Sequence, residues 1–255
     1  MDVACGSCGI SLAHALRCGA CQTVSYCSVE CQRAHWKLHK KPCKASATAK
    51  FAECLTAARA GGRIAQFNLG VYYNSGLGVS KDDKEAVRWF RGAAEAGHAD
   101  AQFNLGTCFY KGTGISQDFP EAVRWFRPAA ETGHVKAQYA IGACYCEGIG
   151  VVQDLKEAVR WFRIAAEAGH VVAQLNIGMC YYDGDGVVKD FTQAVRWYRA
   201  AAEAGDDLAQ FKLGVCYEQG TGVAKDCTEA MRWYRAAADQ GLELAASAVS
   251  RLSIL

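Results

Sequence analysis

The sequence predicts an all-α chain in two parts, a compact cysteine-rich segment followed by a stack of helical hairpins. Three observations carry that expectation. A unit of 36 residues recurs five times without insertion, and each copy holds two amphipathic stretches. Seven of the fourteen cysteines fall within the first 43 residues, at spacings that suit metal ligands. No apolar run approaches the ~20 residues that would span a bilayer.

The bulk properties narrow the partners. With 255 residues and 51% hydrophobic content the chain is long enough to bury a core, and its formal charge of +2 gives no polyelectrolyte character. The charge is uneven: residues 1–50 hold seven Lys/Arg against two acidic residues, leaving 21 against 24 in the remainder. The opening "MDVACGSCGI" has neither a basic nor an apolar leader region, so no secretory signal is expected. We therefore expect a reducing compartment, cytosol or nucleus, with the cysteines as thiols or metal ligands and no membrane partner.

The N-terminal cysteines are Cys5, Cys8, Cys18, Cys21, Cys27, Cys31 and Cys43. They read as two C-x2-C pairs, a C-x3-C pair and an H-x3-C pair. A C-x2-C knuckle puts two thiolates on one tight turn, and ligands four apart share a helix face. Seven cysteines and one histidine fill two tetrahedral zinc sites with no thiol left over. So short a segment cannot bury seven thiols in a core of its own. His39 is the preferred imidazole because Cys43 lies one turn on; His35 competes from one turn earlier, and His14 lies between the knuckles.

This ligand spacing, with "YC", "CQ" and the ending "WKLHKKPC", resembles the MYND-type zinc finger over residues 5–43. The resemblance implies interleaved sites: Cys5, Cys8, Cys27 and Cys31 around one zinc, Cys18, Cys21, His39 and Cys43 around the other. It also implies a protein-interaction module that accepts short proline-containing peptides, with Ser25, Gln32 and Trp36 at the groove positions. A Trp face beside a Gln amide suits an extended proline-rich ligand; the alternative is that Trp36 only covers the metal sites. Lys37, Lys40, Lys41 and Lys44 could form a basic patch, but a charge run is usually a solvated face.

The repeats begin at "AQFNLGVYYNSGLGV" and run as 65–100, 101–136, 137–172, 173–208 and 209–244. In each, the first helix is expected to bury Ala, Leu/Ile and an aromatic at i, i+4 and i+8, as in Ala101, Leu105 and Phe109. Gly106 and its equivalents let the second helix approach. A glycine pair such as Gly112 and Gly114 turns the chain; with no preceding strand and no third glycine it is not a nucleotide loop. Asp82, Asp118, Asp154, Asp190 and Asp226 each precede Glu or Gln by three residues, the pattern of a capping box. The second helix carries "AVRW" and should stop at Gly97, Gly133, Gly169, Gly205 or Gly241. Pro120 falls in a first turn, whereas Pro128 inside a second helix should kink it.

The units, carried by "A-x-x-x-L-G-x-x-Y", "G-x-G-V", "A-V-R-W" and "A-A-E-x-G", closely resemble Sel-1-like repeats, relatives of the tetratricopeptide family. That resemblance implies a right-handed α-solenoid serving as a scaffold without chemistry of its own. The expected organisation is a finger at 1–48, a linker of about Lys44 to Thr48, a capping half-unit at 49–64, the five repeats, and a cap at 245–255.

Several ladders invite other readings. Cys108, Cys144, Cys180 and Cys216 continue the buried stripe and are expected as small core residues, since stacked units hold them too far apart for disulfides. Cys54, Cys146 and Cys227 lack ligand-spaced partners. Arg88 and most of its equivalents have a glutamate three before, and Arg127 and its equivalents have an acidic residue four on. Those intrahelical pairs would cancel the field that nucleic acid requires. His98, His134 and His170 are placed in polar turns. By tetratricopeptide analogy, a concave ligand stripe would comprise Asn74, Tyr110, Cys146, Tyr182 and Glu218, with Ser75, Lys111, Glu147, Asp183 and Gln219 adjacent. The expected function is a non-enzymatic adaptor for protein partners, with no small-molecule substrate. The alternatives are a nucleic-acid-associated regulator, or a substrate adaptor of a ubiquitin or methyltransferase assembly.

Overall fold

Alternation of apolar and polar residues at helical period, punctuated by glycine, sets the architecture. The computed structural model describes residues 3–4, 11–12, 16–17, 25–26 and 29–253; from 3 to 44 it describes backbone alone, apart from Val29, Arg33 and His35. These residues hold four two-residue strands and twelve helices. β1 (Val3–Ala4) pairs antiparallel with β2 (Ser11–Leu12), and β3 (Leu16–Arg17) with β4 (Ser25–Tyr26). Among the described residues every longer element is a helix, so the all-α expectation holds, with two small hairpins added at the N-terminus.

Two compact units divide between Gln117 and Asp118. The first contains α1 (Val29–Arg59), α2 (Arg63–Ser75), α3 (Asp83–Glu95) and α4 (Ala99–Lys111), each packed on the next. α1 is one helix of 31 residues, so the segment 44–48, expected as a linker, is helical and continuous with the residues on both sides. Its second half does what a repeat's second helix does. Ala47 and Ala58 are buried, and the Phe51 ring sits edge-on to Tyr72 and Tyr73 at 5.9 and 5.4 Å.

The second unit contains α5 (Phe119–Glu131), α6 (Val135–Glu147), α7 (Leu155–Glu167), α8 (Val171–Asp183), α9 (Phe191–Glu203), α10 (Asp207–Gln219), α11 (Cys227–Asp239) and α12 (Glu243–Leu252). The hairpins α6–α7, α8–α9 and α10–α11 stack in sequence, and α12 covers α11. Pro120 is harmless at the second position of α5, and α5 continues past Pro128 to Glu131, the Thr132 amide donating to the Pro128 carbonyl. It keeps the 13-residue span of its counterparts.

Close approach explains the glycine inside each first helix. A Cβ on Gly178 would stand 2.7 Å from two ring carbons of Tyr198, and one on Gly214 equally close to Tyr234. Those two rings are each only 1% exposed. Fully burying a large apolar side chain contributes about 1.5–3 kcal/mol, so the aromatic laid on each glycine contributes about that much to its hairpin. The turn glycines Gly76, Gly148, Gly184 and Gly220 adopt positive φ, as a left-handed helix cap requires.

Each second helix starts on an aspartate, but the capping box closes differently from the sequence expectation. Asp154 Oδ1 accepts the amides of both Lys156 and Glu157, while its own amide donates to Tyr145 O in the preceding helix. Glu157, not needed to bond back, instead pairs with Arg160 at 3.1 Å. Asp118 accepts only the Glu121 amide, because position 120 is proline and has no N–H.

Candidate functional site

The strand pairing organises the cysteine segment. Ala4 stands opposite Ser11, so Cys5 and Cys8 belong to the connection between two paired strands. Arg17 stands opposite Ser25, so Cys18 and Cys21 belong to the second such connection. Cys27 follows β4, and the backbone of Cys31, His39 and Cys43 lies on α1. Two C-x2-C pairs bracketed by short hairpins, beside a helix carrying histidine and cysteine one turn apart, form a donor set suited to tetrahedral zinc. The residues fit the metal. The side chains of these candidate ligands, and those of Ser25, Gln32 and Trp36, lie outside the described residues; among the described ones no group of three metal-binding side chains occurs.

In the repeats, exposure identifies the free face of each first helix. On α2 the stripe is Ile64, Asn68, Val71 and Ser75, all exposed. At the same spacing on later helices only the ends are exposed, Lys136 and Glu147 on α6 and Val172 and Asp183 on α8; Ala140, Ala143, Asn176 and Met179 between them are half-buried. Lys111, Glu147, Asp183 and Gln219, expected beside the ligand stripe, are exposed members of this face.

Of the five residues expected at its centre, Asn74 is exposed and the other four are half-buried. Asn74 Nδ2 donates to Asp83 at 3.3 Å. Tyr182 packs edge-on to Phe191 at 5.1 Å. Tyr110 and Cys146 are half-buried. Glu218 accepts from Tyr234 Oη at 2.7 Å and Arg251 at 2.8 Å, which ties α12 to α10. Burial works to raise the Glu218 carboxyl, but those two donors outweigh it and hold it below the usual range. Whether a ligand uses these positions or the neighbouring exposed ones is a matter for binding. The sequence signal at the neighbouring positions is divergence: the position of Ile64 is Asp100, Lys136, Val172 and Leu208 in later units, and that of Val71 is Thr107, Ala143, Met179 and Val215.

Arginine, histidine and cysteine ladders are structural. Arg88, Arg124, Arg160 and Arg232 pair with the glutamate three before. Where the acidic residue four on was expected to hold the second set, Arg127, Arg163 and Arg199 donate to the hydroxyls of Tyr145, Tyr181 and Tyr217 at 2.6, 2.9 and 2.6 Å. Arg91 lies over the Phe109 ring. His98, His134 and His170 cap the first helices, each Nδ1 accepting the amide three residues on, as Asp206 does in the last unit. Burial pushes the Cys108, Cys144 and Cys216 thiols up to about 11 and Cys180 up to about 12, as befits core residues rather than nucleophiles.

Comparison with known proteins agrees with this division. A MYND finger model matches residues 5–43, so the N-terminal segment is of a zinc-binding class. "SET domain-containing protein 14" of Caenorhabditis elegans is 54% identical over 44 residues, 17% of this chain and 10% of the relative. The chain thus spans a tenth of the length of that curated relative. A solved protective antigen with an SLR fold, present in uropathogenic Escherichia coli strains, is 32% identical, with a TM-score of 0.77 over 88% of this chain and 51% of its own. A solved Sel1 repeat protein from Oxalobacter formigenes is 40% identical, with a TM-score of 0.74 over 84% of both chains. The Sel1 repeat model matches five times in tandem, at 63–98, 99–134, 135–170, 171–206 and 207–242, a phase that starts at the first helix of each unit. By these matches and by its stacked hairpins, the chain belongs to the Sel1 repeat family.

Proposed function

We propose that this protein is a non-enzymatic adaptor in which a two-zinc finger and a repeat scaffold each hold a protein partner. Cys5, Cys8, Cys27 and Cys31 hold one zinc, and Cys18, Cys21, His39 and Cys43 the other. Trp36, Gln32 and Ser25 receive a short proline-containing segment, and the exposed face of the first helices receives a second partner. The observation that carries this reading is the continuity of α1, which bears finger residues at one end and packs against α2 at the other. From Trp36 to Phe51 the helix rises about 22 Å, so the two sites lie at a set distance on one rod. A partner presenting both determinants gains from a high effective concentration. Nine of the ten ladder arginines are paired or stacked, which leaves little free positive field for nucleic acid. The seven described cysteines are free thiols, in keeping with a reducing compartment.

The test is binding of the zinc-loaded protein to a library of proline-containing peptides, beside Trp36→Ala and a chain lacking residues 1–48. Loss of binding in both supports the finger as reader. Binding retained in both overturns that assignment and moves recognition to the repeats.

A further inference from the structure

We infer that α1 contains a hinge at Ser46, straight while metal holds the finger and free to open there when metal leaves, with the repeats folded in either state. Ser46 stands 36 residues before Asp82, and the same interval separates the five aspartates that start the second helices. The register is spatial as well as sequential. A Cβ on Gly78 would collide with the Ala47 carbonyl, as one on Gly150 would with Phe119, on Gly186 with Leu155 and on Gly222 with Phe191. Those partners are the first residues of their helices, so Ala47 occupies a helix-start position in the middle of a continuous helix.

Serine is among the residues best suited to cap a helix at that position. While α1 is continuous, the amides of residues 47–49 bond to carbonyls one turn back, at 43–45. If residues 42–45 leave the helix, those amides lose their acceptors, and Ser46 Oγ is placed to take two of them, as Asp82 takes Lys84 and Glu85. The turn before the hinge is weak by itself. Pro42 supplies no amide and crowds the carbonyl four residues back. The ligands His39 and Cys43 bracket Pro42 on the helix, so metal bound to both clamps the turn that proline weakens. Beyond the hinge, Ala47, Ala58 and the Phe51–Tyr72–Tyr73 cluster hold the rest of α1 without help from the metal.

The inference rests on the finger being a zinc site, so zinc content is measured on the samples used for the test. Amide hydrogen exchange of the full chain is followed with zinc bound and after chelation, for the natural sequence and for Ser46→Ala and Ser46→Asp. The expected result is loss of protection at 30–45 on chelation with protection retained at 50–59. Ser46→Ala should then act with opposite sign in the two states. In the continuous helix alanine outperforms serine, raising protection about twofold. In the chelated chain a cap is lost, and protection near 48–52 falls about fivefold. Ser46→Asp should protect those amides at least as well as serine after chelation. Melting of 30–59 as one block, or protection at 30–45 that survives chelation, overturns the hinge, as does one sign for Ser46→Ala in both states. Absence of zinc from the purified protein overturns the finger reading instead.

Discussion

Replacing Gly178 with alanine sets two physical effects against each other, and the structure says which wins. Intrinsic propensity favours alanine by about 1 kcal/mol at a helix interior. The new methyl, however, would sit 2.7 Å from Tyr198 Cδ1 and Cε1 and 3.4 Å from Ala194 O. Carbon atoms in good contact lie at about 3.5–4.0 Å, so the overlap with the ring approaches 1 Å. Tyr198 is 1% exposed and packed among Leu175, Ala201, Ala202 and Cys216, so the ring has nowhere to retreat. Overpacking of this kind costs about 1–3 kcal/mol, and two overlapping ring atoms place it at the upper end. The net expectation is a loss of about 2 kcal/mol, or a Tm fall of about 4–8 °C. Urea and thermal unfolding of the full chain read it directly, with the cycle completed by Tyr198→Ala, in whose background Gly178→Ala should become neutral or stabilising. A higher midpoint for Gly178→Ala alone would refute the close-approach account.

Further outcomes follow from the same contacts. Asp154→Ala should lower stability by about 1–2 kcal/mol and Asp118→Ala by about half as much, since the first loses two amide bonds and the second one; equal losses in urea unfolding would contradict the cap geometry. Burial and, secondarily, Lys136 lower the His170 pKa, so the folded state resists protonation there. That contribution is present above about 6.5 and is lost as pH falls toward the lowered folded value. Amide exchange in α8 should accelerate across that range, and His170→Asp, which keeps an acceptor as Asp206 does, should remove the dependence. The Glu218 carboxyl is held low in the folded state, so its contribution is present above about 4.5 and lost below it. Exchange at α12 should rise on acidification, and Arg251→Ala should produce the same rise at neutral pH. Among the repeat cysteines, exposed Cys227 should alkylate well before buried Cys108, Cys144 and Cys216 at pH 8, as peptide mass mapping would show.

The repeat architecture was legible because each hairpin writes its own rules into sequence: small residues where helices touch, aspartate at the start, glycine at the stop. The finger was legible because tetrahedral coordination fixes residue types and spacing, and a MYND finger model matches the same 5–43. What escaped lies in contacts that no local pattern encodes. Arg127 has a glutamate four positions on, yet its guanidinium reaches Tyr145 in the next helix, a choice set by how hairpins stack. Glu157 has the spacing to close a capping box, but the Tyr145 carbonyl already holds the amide it would have accepted. The continuity of α1 was missed because the residues after the last ligand, 44–48, read as a linker between two domains; they run on as helix in α1, which packs on α2.

The central claim is that peptide recognition belongs to a metal-ordered finger mounted on a repeat stack that folds without it. The most direct measurement is titration of a proline-containing peptide into the full chain by calorimetry, before and after zinc removal, with circular dichroism on the same samples. The account predicts that binding disappears with the metal and returns on adding zinc, while most of the helical signal persists throughout. Binding undiminished after chelation would contradict it.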